Sequence, residues 1–441
     1  MASSTMKVEI VSRETIKPSS PTPHNLNIHK LSLLDQMMFI EYIPVIYFYP
    51  SSGKTTPNIQ SERLHILKES LSKTLTRYYP FAGRLRDEHS IECYDQGVEF
   101  VEARISCALS DVQQQQPDSE EFQKLLPIEV GTTSASTSFL LLIQVNFFQC
   151  GGMAIAVCLT HKIADGLSFF TFVKTWALIA SKSDQPIQVP DFSVGSSLFP
   201  PTDSLSFHHI KFPLGNCVMR RLIFRPSGVA ALKTKVASPS VPNPTRAEAI
   251  TALLWKCAIT SARSIRTIRT SIGNRAINLR NVLSPNLPVS ATSNFLAYVA
   301  THINIEGELE LQTLIRQLRN VLQEYRRKEG ESLLGYKDVE IEGEADDMHF
   351  FSCSSLVGMP TFDADFGWGK PIGWTYVRLM FPNTAFIRDT RDGDGVEVLV
   401  WLSKEEMVVF ERNEELLAFA TLSPGFYGDS SGYGINPNSR L

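Results

Sequence analysis

Apolar residues recur along this chain with two different periods. Over residues 62–78, Leu64, Ile66, Leu67, Leu71 and Leu75 fall at the spacing of an amphipathic helix. Pro80 and Gly83, in Tyr79-Pro80-Phe81-Ala82-Gly83-Arg84, predict where that helix stops. Residues 138–148 and 152–160 are instead rich in aliphatic and β-branched residues, with Gly151-Gly152 between them. They read as two strands, the second apolar throughout and therefore buried on both faces. Helical spacing returns over 166–182 through Phe169, Phe172, Val173, Trp176, Ala177 and Ile179. Asp165 stands just before it, where a carboxylate favours the positive end of a helix.

The same reading continues downstream. Short strands are predicted at 90–94 and 98–105. Residues 183–215 hold many Pro, Ser and Asp and little periodicity, the pattern of a crossover between domains. Thr245-Arg246-Ala247-Glu248 has capping-box spacing and opens a helix through Ile250, Leu253, Leu254, Trp255 and Ala258. A further helix is predicted over 309–325, strands over 374–403 and a helix over 405–419. From 423 onward the Gly, Ser, Pro and Asn content predicts a mobile tail. Strands mixed with helices in this way argue for α/β or α+β layers.

Composition adds limits. The 441 residues, 43% hydrophobic and 20% charged, suffice for two cores. The formal net charge of −4 lacks the basic footprint of a nucleic-acid binder. Apolar runs such as 139–145 are far shorter than the roughly 20 residues of a membrane span, so neither nucleic acid nor membrane is an expected partner. The seven cysteines are odd in number and form no C-x-x-C pair. They read as buried, reduced thiols, and the N-terminus has no apolar signal segment. A cytoplasmic monomer is expected. Ser439-Arg440-Leu441 resembles a peroxisomal address and supplies the alternative location.

The chemistry centres on His161, in Leu159-Thr160-His161-Lys162-Ile163-Ala164-Asp165-Gly166. A neutral imidazole at the end of a rigid strand is placed to take a proton from a hydroxyl or amine, which is otherwise a poor nucleophile. Asp165 is open to two readings: it orients the ring as in a catalytic triad, or it pairs with a cation and braces the loop. Arg280, in Asn278-Leu279-Arg280 after the strand-like Ala276-Ile277, is a candidate for that cation. Metal binding finds no third ligand at a recognisable spacing. No G-x-S-x-G is present, and Cys158 sits in apolar company. A second cluster, Asp365-Phe366-Gly367-Trp368-Gly369, packs two large rings between glycines and reads as a structural turn. Lys256, Arg263, Arg266, Arg269 and Arg275 form a basic stretch compatible with phosphate contacts or, more simply, with a solvated helix face.

With these motifs the chain resembles the plant BAHD acyltransferase family over nearly its whole length. The segment 161–166 matches the family's His-x-x-x-Asp-Gly, and 365–369 matches its Asp-Phe-Gly-Trp-Gly. Ile16-Lys17-Pro18-Ser19-Ser20-Pro21-Thr22-Pro23, Leu31-Ser32-Leu33-Leu34-Asp35-Gln36, 79–84 and 278–280 match as well. The N-terminal and histidine segments are similar to the vinorine synthase-like alkaloid acetyltransferase branch. The resemblance implies an α/β fold of two similar-sized chloramphenicol-acetyltransferase-like domains, 1–185 and 216–441. A crossover at 186–215 joins them, and part of 360–385 is allowed to pack with the N-terminal domain.

The resemblance further implies an active-site channel between the domains, with acyl-CoA and a hydroxyl acceptor entering from opposite sides. His161 is then the general base of a direct acyl transfer. Asp165 turns away from the ring toward Arg280, with Gly166 beside it, and the residues 365–369 support the fold. Acetyl-CoA is the expected co-substrate and a plant specialised metabolite, such as an alkaloid or terpenoid, the acceptor. No bound cofactor or metal is expected. The alternatives are a non-catalytic binding protein of the same fold, or longer acyl groups on sugar or alcohol acceptors. A carrier-dependent condensation domain usually has two adjacent histidines, where Thr160 precedes His161 here. Many relatives read Ser-Trp-Cys-Arg-Phe-Pro ahead of the second motif; this chain reads Ser355-Leu356-Val357-Gly358-Met359-Pro360. Leu356 and Gly358 in place of Trp and Arg predict a larger or more apolar acceptor pocket.

Overall fold

The apolar run at 153–160 forms the strand Met153–Thr160, buried at all eight positions. Its antiparallel neighbour Leu141–Phe148 is equally buried. The two strands lie inside a six-stranded sheet, and both faces are buried because one packs on Leu67, Leu71, Phe172 and Trp176 and the other on Leu109, Val112, Phe122 and Leu125. The spatial order is Val8–Ile16, Val98–Ile105, Leu141–Phe148, Met153–Thr160, Tyr42–Tyr49 and Gly373–Tyr376. The last strand comes from the second half of the chain and pairs with Tyr42–Tyr49, Trp374 opposite Tyr47. The computed structural model describes residues 6–51, 53, 57–113, 115, 120–132, 138–202, 217–283, 287–305, 309–327, 347–377 and 382–423. Ser439-Arg440-Leu441, the tail after 423 and the 203–215 part of the crossover lie outside these residues.

A seven-stranded sheet carries the second half. Its order is Leu296–Asn304, Thr270–Asn278, Met348–Ser355, Thr384–Asp389, Val396–Ser403, Cys217–Phe224 and Thr421–Ser423. Thr270–Asn278, Met348–Ser355 and Thr384–Asp389 run parallel, and the other pairs are antiparallel. Its core helix, Arg246–Arg263, opens on the reciprocal Thr245/Glu248 capping box that the sequence predicted. Trp255 on this helix donates to Ser271 Oγ at 2.9 Å, and its ring lies over Gly273, where a Cβ would come within 2.8 Å. The expected helix over 405–419 is two short ones, Lys404–Phe410 and Glu414–Leu417, because Asn413 caps a new start.

On the first sheet, Pro57–Arg77 packs against Gly166–Ala180, and Trp176 donates to Leu67 O at 3.2 Å and Ser70 Oγ at 3.0 Å. The second motif docks on the far end of this pair. Phe366 meets Trp176 edge to face, with centroids 4.8 Å apart, and stacks on Trp368 at 5.7 Å. Tyr49 contacts both rings. Asp365 Oδ1 accepts the N–H groups of Gly367 and Gly369, both at 2.9 Å. The two glycines have φ of +105° and +96°, a conformation side chains disfavour. Asp363 ties this loop to Lys174 at 2.8 Å. A buried ring in this position predicts that Phe366→Ala lowers stability by about 3–5 kcal/mol. Chemical denaturation should show an earlier midpoint, with kcat per folded molecule little changed. A large loss of kcat at wild-type stability would instead make the motif part of the chemistry.

Candidate active site

His161 follows directly from Thr160, the last residue of its strand, and begins a single 3-10 turn. The turn is pinned on several sides. The His161 N–H donates to Glu41 O at 3.1 Å, and Thr160 Oγ1 donates to Ile40 O at 3.0 Å. Lys162 Nζ is buried and donates to the carbonyls of Gln36 and Met38 at 2.7 and 3.3 Å. The imidazole lies against Phe39 with centroids 4.8 Å apart. Its Nδ1 is buried, while the residue lines a cavity of about 550 Å³. Nε2 is therefore the nitrogen on the cavity side. Burial holds the imidazole below its usual value of 6.5, against upward pulls that include its own backbone, Asp165, Asn294 and Asp35.

Asp165 is 5% exposed and Arg280 3%. The two form a close pair, Nη1 to Oδ2 at 2.6 Å and Nη2 to Oδ1 at 3.3 Å. Asp165 also accepts the N–H of Ser168 at 2.9 Å and of Phe295 at 3.0 Å. Despite its burial, Arg280 and these hydrogen bonds hold the carboxyl below the ordinary carboxylate range. Arg280 Nη2 further donates to Ser168 Oγ at 3.0 Å and Ala291 O at 2.9 Å, and its guanidinium lies 4.6 Å from the Phe295 ring centre. Between the two sequence readings of Asp165, the geometry selects the brace. The carboxylate caps the Gly166–Ala180 helix and anchors it to the second half of the chain.

The cavity opens between the two sheets. Met37, Phe39, Ile43, Val45, Phe169 and Phe170 form its apolar side; Asn274, Asn278, Tyr298, Ser352, Ser354 and Thr384 supply neutral polar groups opposite. Asp165, Gly166, Arg280 and Leu356 also line it. Leu356 lies near Gly166, where an added Cβ would be 3.3 Å from Leu356 Cδ2. Gly358 is a correction: it does not line the cavity. It sits at φ +82° in an open turn, its N–H donating to Asp389 Oδ2 at 2.7 Å, with nothing within 4 Å of where a Cβ would stand. The residues 365–369 are likewise absent from the lining.

The basic stretch does not form one helix face. Lys256 pairs with Glu415 at 2.8 Å, Arg269 with Asp347 at 3.2 Å, and Arg266 donates to Met348 O at 2.9 Å. Arg275 lies on the strand Thr270–Asn278 with a buried Nη1. The change from helix to strand after Arg263 scatters these cations, and none of them lines the cavity.

Two residues beside His161 had no chemical signal in the sequence. Asp35 is 2% exposed and accepts from Ser32 N, Ser32 Oγ, Ser293 Oγ, Asn294 N and Asn294 Nδ2, all between 2.7 and 2.9 Å. Asn294, fully buried, donates through Nδ2 to His161 O at 2.9 Å. Asp35 came into view only within the matching segment 31–36, and Asn294 not at all. The polar run Thr292-Ser293-Asn294 just before a strand was the one available hint.

Comparison with known proteins agrees with this geometry. The model of the Transferase family matches residues 6–417. Epi-neemfruitin B 7-O-acetyltransferase L7AT of Melia azedarach is 36% identical over 452 residues, covering 95% of this chain and 99% of that protein. The 17,18-epoxy-17-hydroxycur-19-ene N-malonyltransferase of Strychnos nux-vomica is 34% identical, covering 94% and 91%. The crystal structure of vinorine synthase superposes with a TM-score of 0.81 at 33% identity, covering 95% of this chain and 100% of that one. With both motifs in place and the histidine in a cavity between two sheets, the chain belongs to the Transferase family of BAHD enzymes and is an acyl-CoA-dependent acyltransferase.

Proposed function

We propose that this enzyme transfers an acetyl group from acetyl-CoA to a hydroxyl of a neutral, largely apolar plant specialised metabolite, with His161 as general base. The observation that carries this reading is the His161 imidazole, held on the cavity wall with burial favouring its neutral form. Nε2 takes the hydroxyl proton as the oxygen attacks the thioester carbonyl. The tetrahedral intermediate then collapses, the C–S bond breaks, and the imidazolium returns its proton to the departing thiolate. Transfer is direct. Cys158, on the strand that delivers His161, is fully buried, and burial pushes its thiol far above its usual value, which disfavours a thiolate nucleophile.

The lining argues for uncharged reactants. Among the described lining residues, the side chains charged at neutral pH are Asp165 and Arg280, and each neutralises the other. A carboxylate on the acyl group would enter without a counter-ion, and burying an unpaired charge is costly. A protonated amine would lack a free carboxylate partner for the same reason. The neutral amides and hydroxyls of Asn274, Asn278, Ser352 and Ser354 suit an oxygen-bearing acceptor. We place the enzyme in the cytoplasm, a reading supported by cysteines that are not joined in disulfides, with the C-terminal Ser439-Arg440-Leu441 as the peroxisomal alternative.

Three outcomes follow. His161→Ala should lower kcat about 10²–10⁴-fold, the usual span of general-base catalysis; a loss under tenfold would remove the base assignment. Because burial lowers the pKa of His161, the base stays unprotonated at neutral pH. The acid limb of kcat/KM should therefore lie below pH 6.5, with activity falling as pH drops through it. A limb above 6.5 would mean that carboxylate fields outweigh burial. In a donor panel, malonyl-CoA should show kcat/KM at least about 100-fold below acetyl-CoA, equivalent to about 2.7 kcal/mol. Equal use of the two would require a cation in the pocket.

A further inference from the structure

A base that works through Nε2 needs its single neutral-state proton on Nδ1, and that proton needs an acceptor. In a triad a carboxylate takes this place. Here Asp165 is unsuited to it, since both its oxygens are spent on Arg280, Ser168 N and Phe295 N. The groups that interact with the ring include its own backbone and the Asn294 side chain, and two buried atoms here lack a well-formed hydrogen bond: His161 Nδ1 and Asn294 Oδ1. One is the donor that the Nε2 base requires. The other is an amide oxygen.

The orientation of that amide is fixed by its surroundings. Asn294 Nδ2 donates to Asp35 Oδ1 at 2.8 Å and to His161 O at 2.9 Å. A carboxylate and a carbonyl both accept, so the amide nitrogen must face them and the oxygen is left for the ring. Asp35 is itself immobilised by Ser32 and Ser293 as well as by the Asn294 backbone. We propose that Asn294 is the positioning residue of His161, its Oδ1 selecting the Nδ1–H tautomer, with Asp35 locking the amide. This rests on His161 acting as the base. It replaces the charged third member of a triad with a neutral one. A neutral acceptor orients the ring without the strong upward pull on basicity that an adjacent free carboxylate exerts. The ionisable groups around the ring are Asp165 with its Arg280, Asp35 and the adjoining Lys162, whose Nζ is turned to the Gln36 and Met38 carbonyls.

The test uses full-length protein with ¹⁵N-labelled histidine, and the His161 signals are identified by their loss in His161→Ala. The ¹⁵N shifts of the neutral ring should show a protonated Nδ1 and a bare Nε2. The opposite tautomer in the wild type would overturn the proposal, and this readout needs neither substrate nor a variant of Asn294. In Asn294→Ala the ring should become a mixture of tautomers. Its kcat should fall about 10–100-fold, as expected for a misplaced catalytic group, with KM for acetyl-CoA nearly unchanged. The acid limb of kcat/KM should move to lower pH, because Asn294 pulls the pKa upward. Asn294→Ala with a wild-type tautomer and an unmoved limb would reduce the residue to a structural brace. If the tautomer is as expected while His161→Ala remains active, the base assignment fails and the positioning geometry survives.

Discussion

The site depends on the buried ion pair between Asp165 and Arg280. Each partner is nearly inaccessible, and removing either would leave an uncompensated charge between the two sheets. Burying the pair is costly in itself. The cost is offset by close geometry and by neighbours that satisfy both carboxylate oxygens and both terminal guanidinium nitrogens, Ser168, Phe295 N, the Ala291 carbonyl and the face of the Phe295 ring, while the buried Arg280 Nε is left without a partner. The return is positional. Asp165 caps the helix that follows the histidine, and Arg280 begins the segment after Thr270–Asn278. One contact therefore fixes the His161 turn of one sheet to the end of a strand in the other.

Around that contact the halves interlock rather than merely touch. Gly373–Tyr376 extends the first sheet although it belongs to the later part of the chain. Arg388 of the second sheet lies 4.0 Å from the centre of the Trp374 ring and pairs with the buried Glu397. Phe386 bridges Tyr376 and Trp401. The crossover joins the same region: Asp191 exchanges backbone hydrogen bonds with Ser290 and Thr292, and Phe199 O accepts from Leu33 N. The cavity is thus bounded by elements held from both sides. The second motif acts from a distance, by docking Phe366 on Trp176 of the helix that Asp165 caps.

Much of this was legible in the sequence where one physical rule dominates locally. An unbroken apolar run predicts a strand buried on both faces, and a histidine at its end predicts a polar group delivered to an edge; both hold for 153–161. The Thr245/Glu248 capping box needs only four residues and reads directly. Legibility fails where a residue's role is set by distant partners. Gly358 reads as a pocket position beside Leu356, yet its positive φ turns the backbone toward Asp389 and the two residues part company. The five cations between 256 and 275 look like one basic face until the helix gives way to a strand. Asn294 and Asp35 are 259 residues apart, and no local period relates them.

The electrostatics of the site explain why a carboxylate four residues from the histidine is compatible with base catalysis. A free carboxylate beside an imidazole stabilises the imidazolium and raises the pH at which the ring can accept a proton. Burial acts in the opposite direction, and here it is the larger influence on His161. It can be so because the fields of the nearby acids are reduced at source. Asp165 is neutralised by a guanidinium at 2.6 Å, and Asp35 spends its lone pairs on Ser32, Ser293 and Asn294. The Asp165–Arg280 pair is therefore both a mechanical anchor and an electrostatic shield. A sequence that kept the His-x-x-x-Asp spacing but lost the arginine would retain the motif and expose the ring to the uncompensated field of Asp165, an upward pull that opposes the effect of burial.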